Sequence, residues 1–309
     1  MTSTSGSSDS WPAARPVDPG RVGLWTGFLD GLPASQVRER VAELDDRGWG
    51  ALWLPEAVGR EPFVNSSLVL GATTRMVVAT GIAGIYSRDA MTMAAGHRTL
   101  TEAFPGRFLL GMGVSHQPMV EGIRGHDYSH PLATMRAYLD DMDHALYLGA
   151  PPPHEPQRVL AALGPKMTAL AAERAMGAHP YFVPVEHTSA ARAVLGDGPL
   201  LCVEQAVVLE TDPTKARELA RTHTAIYTTL PNYTNNLRRH GFGDEDFADA
   251  GSDRLIDAIV AWGDVDAAVE RVQAHLDAGA DHVCVQVVTA DYSPGVEQWR
   301  RLADALLPG

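Results

Sequence analysis

Lysine is nearly missing from this chain. Only Lys166 and Lys215 carry an ammonium group, and 25 basic against 38 acidic residues leave a formal charge of -13. With that balance and no dense Lys/Arg run, the sequence lacks the basic patch that a phosphate backbone demands, which excludes a nucleic-acid surface. Any anion must be met by locally placed groups. Cysteine is scarce too. Cys202 and Cys284 each sit in an apolar run, LLCVEQAVVL and HVCVQVV, where a thiol reads as a small core hydrophobe. No run approaches the ~18 apolar residues of a membrane span. The opening MTSTSGSSDSWPAARP has neither the charged start nor the apolar centre of a signal peptide. These absences predict a cytoplasmic protein with no membrane partner, a disordered tail over residues 1–20 and a single domain over 21–309.

What is present is alternation. Strand-like apolar runs at 21–26, 51–54, 76–80, 107–111, 158–163, 177–183, 200–209 and 281–289 are separated by segments of helical period. Helices are expected at 35–47, 62–72, 90–104, 131–148, 165–174, 253–262, 265–278 and 296–307, and after residues 188 and 213. Leu132, Met135, Leu139, Met142 and Leu146 would form one face of the fourth. Residues 117–130 and 228–252 read as irregular insertions. Eight strands, each followed by a helix, predict a (β/α)8 TIM barrel. The competing open Rossmann sheet rests on Gly111 and Gly113, but the third glycine of that fingerprint is missing and position 116 is a histidine.

A barrel brings the residues just past each strand to one mouth, which nominates Trp25, Glu56, Gly81, Ile82, Ser115, His116, Gly164, Lys166, His187, Thr188 and Gln286. Two turns, Gly164-Pro165-Lys166 and Glu186-His187-Thr188, stand ahead of helices, where free backbone N–H groups and the dipole favour a phosphate; the alternative is a pair of plain helix caps. His116 is a candidate general acid/base, set against a loop histidine bonded to a carbonyl. Glu56 is the second catalytic candidate, next in line to His116 as the acid, and is also suited to accept hydrogen bonds from a ligand or to pair with Arg60 or Arg88. His97 lies on an apolar helix face and reads as core. His126 and His130 are four apart, but the nearby glycine and proline disfavour a helical ligand pair, so no metal is expected.

Several stretches together resemble one family, the luciferase-like oxidoreductases, and within it the branch using the deazaflavin coenzyme F-420: ALWLPEA, ATGIAGIYSRDA, PGRFLLGMGVSH, LGPKMTALAAERAMGAHPYFVPVEHT and GADHVCVQVV. The resemblance implies a non-prolyl cis peptide at Gly81-Ile82 backing the ring, with Ser115 beside it. It implies an acidic position at Glu56, a catalytic acid at His116, and phosphate turns at Gly164, Pro165 and Lys166 and at His187 and Thr188. Gly84 departs from the side-chain amide common in relatives, and the basic residues that bind a sugar phosphate in one branch have no clear equivalents. The implied activity is hydride transfer between coenzyme F-420 and a small organic substrate by a homodimer. A flavin mononucleotide (FMN) monooxygenase and a catalytically silent cofactor-binding relative remain the alternatives, and the two insertions would choose the substrate.

Overall fold

The computed structural model describes residues 17–291 and 293–307. The strands are β1 (Val22–Trp25), β2 (Ala51–Leu54), β3 (Val77–Thr80), β4 (Ala83–Gly84), β5 (Phe108–Gly113), β6 (Arg158–Leu160), β7 (Gly177–Ala178), β8 (Leu200–Val208), β9 (Val260–Trp262) and β10 (His282–Val287). The helices are α1 (Ala34–Asp46), α2 (Pro62–Leu70), α3 (Ala90–Ala103), α4 (Pro131–Asp143), α5 (Pro165–Arg174), α6 (Val185–Leu195), α7 (Pro213–Tyr227), α8 (Pro231–Arg239), α9 (Asp244–Phe247), α10 (Asp253–Ile259), α11 (Val265–Asp277) and α12 (Val296–Leu306).

Eight of the strands close a parallel ring in the order β1, β2, β3, β5, β6, β7, β8 and β10, with β10 pairing back to β1. That is the (β/α)8 barrel, and its eight strands are the eight expected. Side-chain alternation explains the closure. Leu52, Leu54, Val78, Leu110, Met112 and Val285 point outward into the helix layer, whereas Ala51, Trp53, Val77, Ala79, Leu109, Val159, Cys202 and Cys284 fill the interior. Gly111 is required at its place: a Cβ there would lie 1.9 Å from the Thr80 carbonyl oxygen.

Several expectations are corrected. Of the expected tail, residues 1–16 lie outside the described residues, but 17–20 are folded against the N-terminal end of the barrel. Val17 is fully buried and donates its N–H to Gln157, and the Gly20 carbonyl meets His282 Nδ1 at 2.8 Å. The sixth strand pairs only at Gly177–Ala178 instead of running to 183, since Pro180 offers no N–H and Phe182 turns to φ 58°. The fourth expected helix stops at Asp143, leaving Leu146 70% exposed instead of on the packed face.

The insertions are built, not irregular. Residues 118–123 form a π-helical turn, and 228–252 contain α8 and α9. The helix expected over 253–262 ends at Ile259, and Val260–Trp262 instead adds a strand to the far end of β8. Among the described residues, no helix is long and apolar enough to cross a membrane.

Candidate functional site

The C-terminal ends of the barrel strands form one mouth, and its floor is glycine. The Gly81-Ile82 peptide is cis, as expected, and directly follows β3. A Cβ on Gly81 would lie 2.6 Å from Trp25 Nε1 and 3.3 Å from His179 Nε2, so only glycine lets the backbone settle there. Those two nitrogens are buried without a protein partner among the described residues. On the other side Ile82 packs over Gly113, where a Cβ would meet it at 2.8 Å. The result is a closely packed glycine backbone at the strand ends, beside two buried nitrogens without a protein partner among the described residues.

His116 stands beside this floor. Ser115 adopts φ 57°, and the Tyr128 hydroxyl donates to its carbonyl at 3.0 Å. That left-handed turn carries the chain off β5 and delivers His116, whose Nε2 lies 3.1 Å from the Tyr233 hydroxyl of α8. Burial lowers the imidazole's pKa, so the ring is neutral at neutral pH. The loop-histidine alternative had a carbonyl as its partner; the partner found is a phenol.

Glu56 is committed elsewhere. Its carboxylate receives both terminal nitrogens of Arg88, at 2.7 and 2.9 Å, and the Gly84 N–H at 2.7 Å, with Arg124 3.7 Å away. A half-buried carboxylate clamped bidentately by a guanidinium supports the loop that follows β3.

The two helix starts differ. At α5, Gly164 caps the helix with no side-chain bond, and Pro165 and Lys166 are exposed. The Arg239 guanidinium of α8 stands 3.7 Å from where a Gly164 Cβ would be. Neither Lys166 nor Arg239 has a carboxylate partner among the described residues. Two uncompensated cations thus meet the positive end of a helix.

At α6 the two nominated side chains turn inward. His187 Nε2 meets the Leu163 carbonyl at 2.9 Å, and the Thr188 hydroxyl is 2.7 Å from His275 Nδ1 on α11. Both residues are buried, and Glu186 places a carboxylate in the first turn. The side chains of His187 and Thr188 are therefore engaged in buried contacts at the start of α6.

Sequence reading missed the wall opposite His116. Tyr181 and Phe182 past β7, His223 and Tyr227 on α7 and Tyr233 on α8 form an aromatic cluster with ring centroids 4.7 to 6.4 Å apart. Tyr181 also bonds Gln286 at 2.8 Å and Tyr227 at 2.9 Å. Glu204 faces the interior next to it: the Phe182 N–H donates to one oxygen, and burial pushes the carboxyl up to about 8, so it is a neutral acid. The available signal was the spacing of Tyr233, Asn236 and Leu237, one buried face of a helix opened by Pro231. His97 is core as read, bonded to the Gln157 carbonyl at 3.0 Å.

Comparison with known proteins agrees with this geometry. The model of the luciferase-like monooxygenase family matches residues 17–282. A Mycobacterium tuberculosis protein, provisionally named a coenzyme F-420-dependent oxidoreductase, is 26% identical over 346 aligned positions, covering 92% of this chain and 98% of its own. A 5,10-methylenetetrahydromethanopterin reductase of Methanolobus tindarius is 24% identical over 300, covering 83% and 91%. Among solved structures, an F-420-dependent secondary alcohol dehydrogenase superposes with a TM-score of 0.75 at 13% identity, covering 94% of this chain and 98% of that one. The tetrahydromethanopterin reductase of Methanopyrus kandleri gives 0.71 at 18% identity, covering 92% and 96%. At such identities these structures speak for the fold.

Proposed function

The chain belongs to the luciferase-like monooxygenase family, and from that premise we propose that it is an oxidoreductase moving a hydride between coenzyme F-420 and a small organic substrate. The observation that carries the proposal is the pairing of closely approached glycine strand ends with a helix start that carries cations without carboxylate partners among the described residues. A planar ring with a phosphate-bearing tail needs those two features. The near full-length relative provisionally named for this coenzyme supports the choice over FMN.

When bound, the coenzyme supplies the hydride chemistry at its ring carbon. The protein does the rest. Gly81, Ile82 and Ser115 present backbone to the ring face. Gly164, Pro165 and Lys166 offer the start of α5 to the phosphate, joined by Arg239. His116 holds or moves the proton at the substrate oxygen, and the aromatic wall keeps water out. Glu56 holds Arg88 and the Gly84 backbone in place.

Fluorescence titration of the purified protein with oxidised F-420 and with FMN tests this directly: tighter binding of F-420 is expected, and preference for FMN would favour a flavin monooxygenase. His116→Gln is expected to keep cofactor affinity while turnover falls at least about a hundredfold. Loss confined to cofactor binding would make His116 a binding group.

We extend the proposal to a cytoplasmic homodimer. Val64 on α2 and Met91 on α3 are large apolar side chains left exposed, at 70% and 57%. A monomeric mass by light scattering would overturn the dimer, and recovery of the protein outside the cytoplasm on cell fractionation would overturn the location.

A further inference from the structure

Resting on that reading, we propose that Tyr233 is the positioning residue for His116. Its phenol donates to Nε2 and fixes the tautomer that turns Nδ1–H, a neutral donor, toward an uncharged substrate oxygen.

The geometry leaves the His116 ring one hydrogen-bond partner among the described residues. Nε2 and the Tyr233 hydroxyl are 3.1 Å apart, with ring centroids 5.4 Å apart. Among the described residues no carboxylate or cation pairs with His116, and Nδ1 has no hydrogen-bond partner. The other phenol at this loop, Tyr128, spends its hydroxyl on the Ser115 carbonyl.

A neutral imidazole carries one N–H and one lone pair, so the partner at Nε2 decides what Nδ1 presents. A phenol is a better acid than imidazole N–H, and an imidazole lone pair is a better acceptor than a phenol oxygen. The bond therefore runs from Tyr233 to Nε2, and the ring proton sits on Nδ1. Tyr233 is itself buried and keeps its proton. A neutral imidazole donating to a carbonyl oxygen is an established way to polarise it without a charge in the pocket.

The surroundings select the oxygen's owner. Tyr233 belongs to the aromatic wall with Tyr181, Phe182 and Tyr227, and among the described residues no unpaired cation adjoins His116. The matching substrate is an uncharged carbonyl compound or the corresponding alcohol, not a phosphorylated sugar.

The test is 15N NMR of histidine-labelled protein, with His116 assigned by its loss in His116→Gln. In the wild type the Nδ1–H tautomer is expected at neutral pH, and Tyr233→Phe, which keeps the ring, should give a tautomer mixture. With F-420 and a panel of short ketones and secondary alcohols, Tyr233→Phe should lower kcat about tenfold, the scale of one hydrogen bond, and shift the pH profile while coenzyme affinity is unchanged. A wild-type Nε2–H tautomer, or an unchanged tautomer in Tyr233→Phe, overturns the proposal. Should that variant fail to fold, the wild-type tautomer alone decides. The NMR needs neither coenzyme nor substrate, so a protein that does not bind F-420 would defeat the functional reading while the tautomer still decides the role of Tyr233.

Discussion

The starts of α5 and α6 read alike in the sequence and meet opposite surroundings. Each follows a barrel strand and opens a helix with a basic or hydroxylated residue in its first turns. α5 faces α8, which brings a guanidinium, and its own lysine stays in solvent. α6 faces α11, which brings a histidine, and Thr188 turns in to meet it. On the proposed reading, a helix start becomes an anion site or a packing joint according to the element across from it. The N-terminal dipole is common to both and decides neither.

If α6 is a packing joint, acid should attack it. His187 and His275 are buried, and burial lowers them to about 4 and about 3. In the unfolded chain a histidine takes up its proton near pH 6.5. The native state therefore holds fewer protons, stability is fully present above about 6.5, and it is lost as pH falls below that. Each such histidine steepens the loss by up to about 1.4 kcal/mol per pH unit. Urea unfolding at a series of pH values should show this slope, and His275→Gln should reduce it by one proton's worth. An unchanged slope would mean that His275 is protonated in the native state.

Next in size is Thr188→Val. The isosteric methyl removes the donor to His275 Nδ1, while Nε2 continues to donate to Gln205 at 2.9 Å. Leaving one buried acceptor unpaired costs about 1–3 kcal/mol. Denaturant midpoints should fall accordingly with coenzyme affinity unchanged; a loss of affinity with full stability would return Thr188 to the rim.

The fold was legible because its signal is repeated. All eight barrel strands show as short apolar runs, and Gly81, Gly113 and Gly164 mark where backbone approaches backbone or a helix opens. α8 was hidden because its buried face is Tyr233, Thr234, Asn236 and Leu237, mostly polar, and becomes a packing surface only against His116 and the start of α5. The inward turn of Thr188 was hidden for a related reason: the phase of a helix against its neighbour is a tertiary fact. Val260–Trp262 read as more helix because three apolar residues carry no period, and the unpaired far edge of β8 decided the matter.

The open side of the comparison is sharpened by Lys166→Ala. The ammonium is exposed and has no carboxylate partner among the described residues, so stability should hold within about 0.5 kcal/mol. F-420 affinity should fall from a few-fold to tens-fold, on the scale of one charge-assisted hydrogen bond. Arg239→Ala should do the same if both cations meet one anion. Unchanged affinity in both variants would move the phosphate off α5.

The smallest effect belongs to Glu186→Gln. Glu186 occupies the first turn of α6, where a negative charge offsets the dipole, and its field also raises the pKa of His240, which burial otherwise lowers. Neutralising it withdraws both contributions. The helix should lose a few tenths of a kcal/mol at most, and His240, followed by NMR, should titrate lower than in the wild type. Affinity for inorganic phosphate and for F-420 should stay as it was, because the anion is assigned to α5. If removing this carboxylate instead strengthened phosphate binding severalfold, α6 would be a suppressed anion site rather than a packing joint, and the distinction between the two helix starts would collapse.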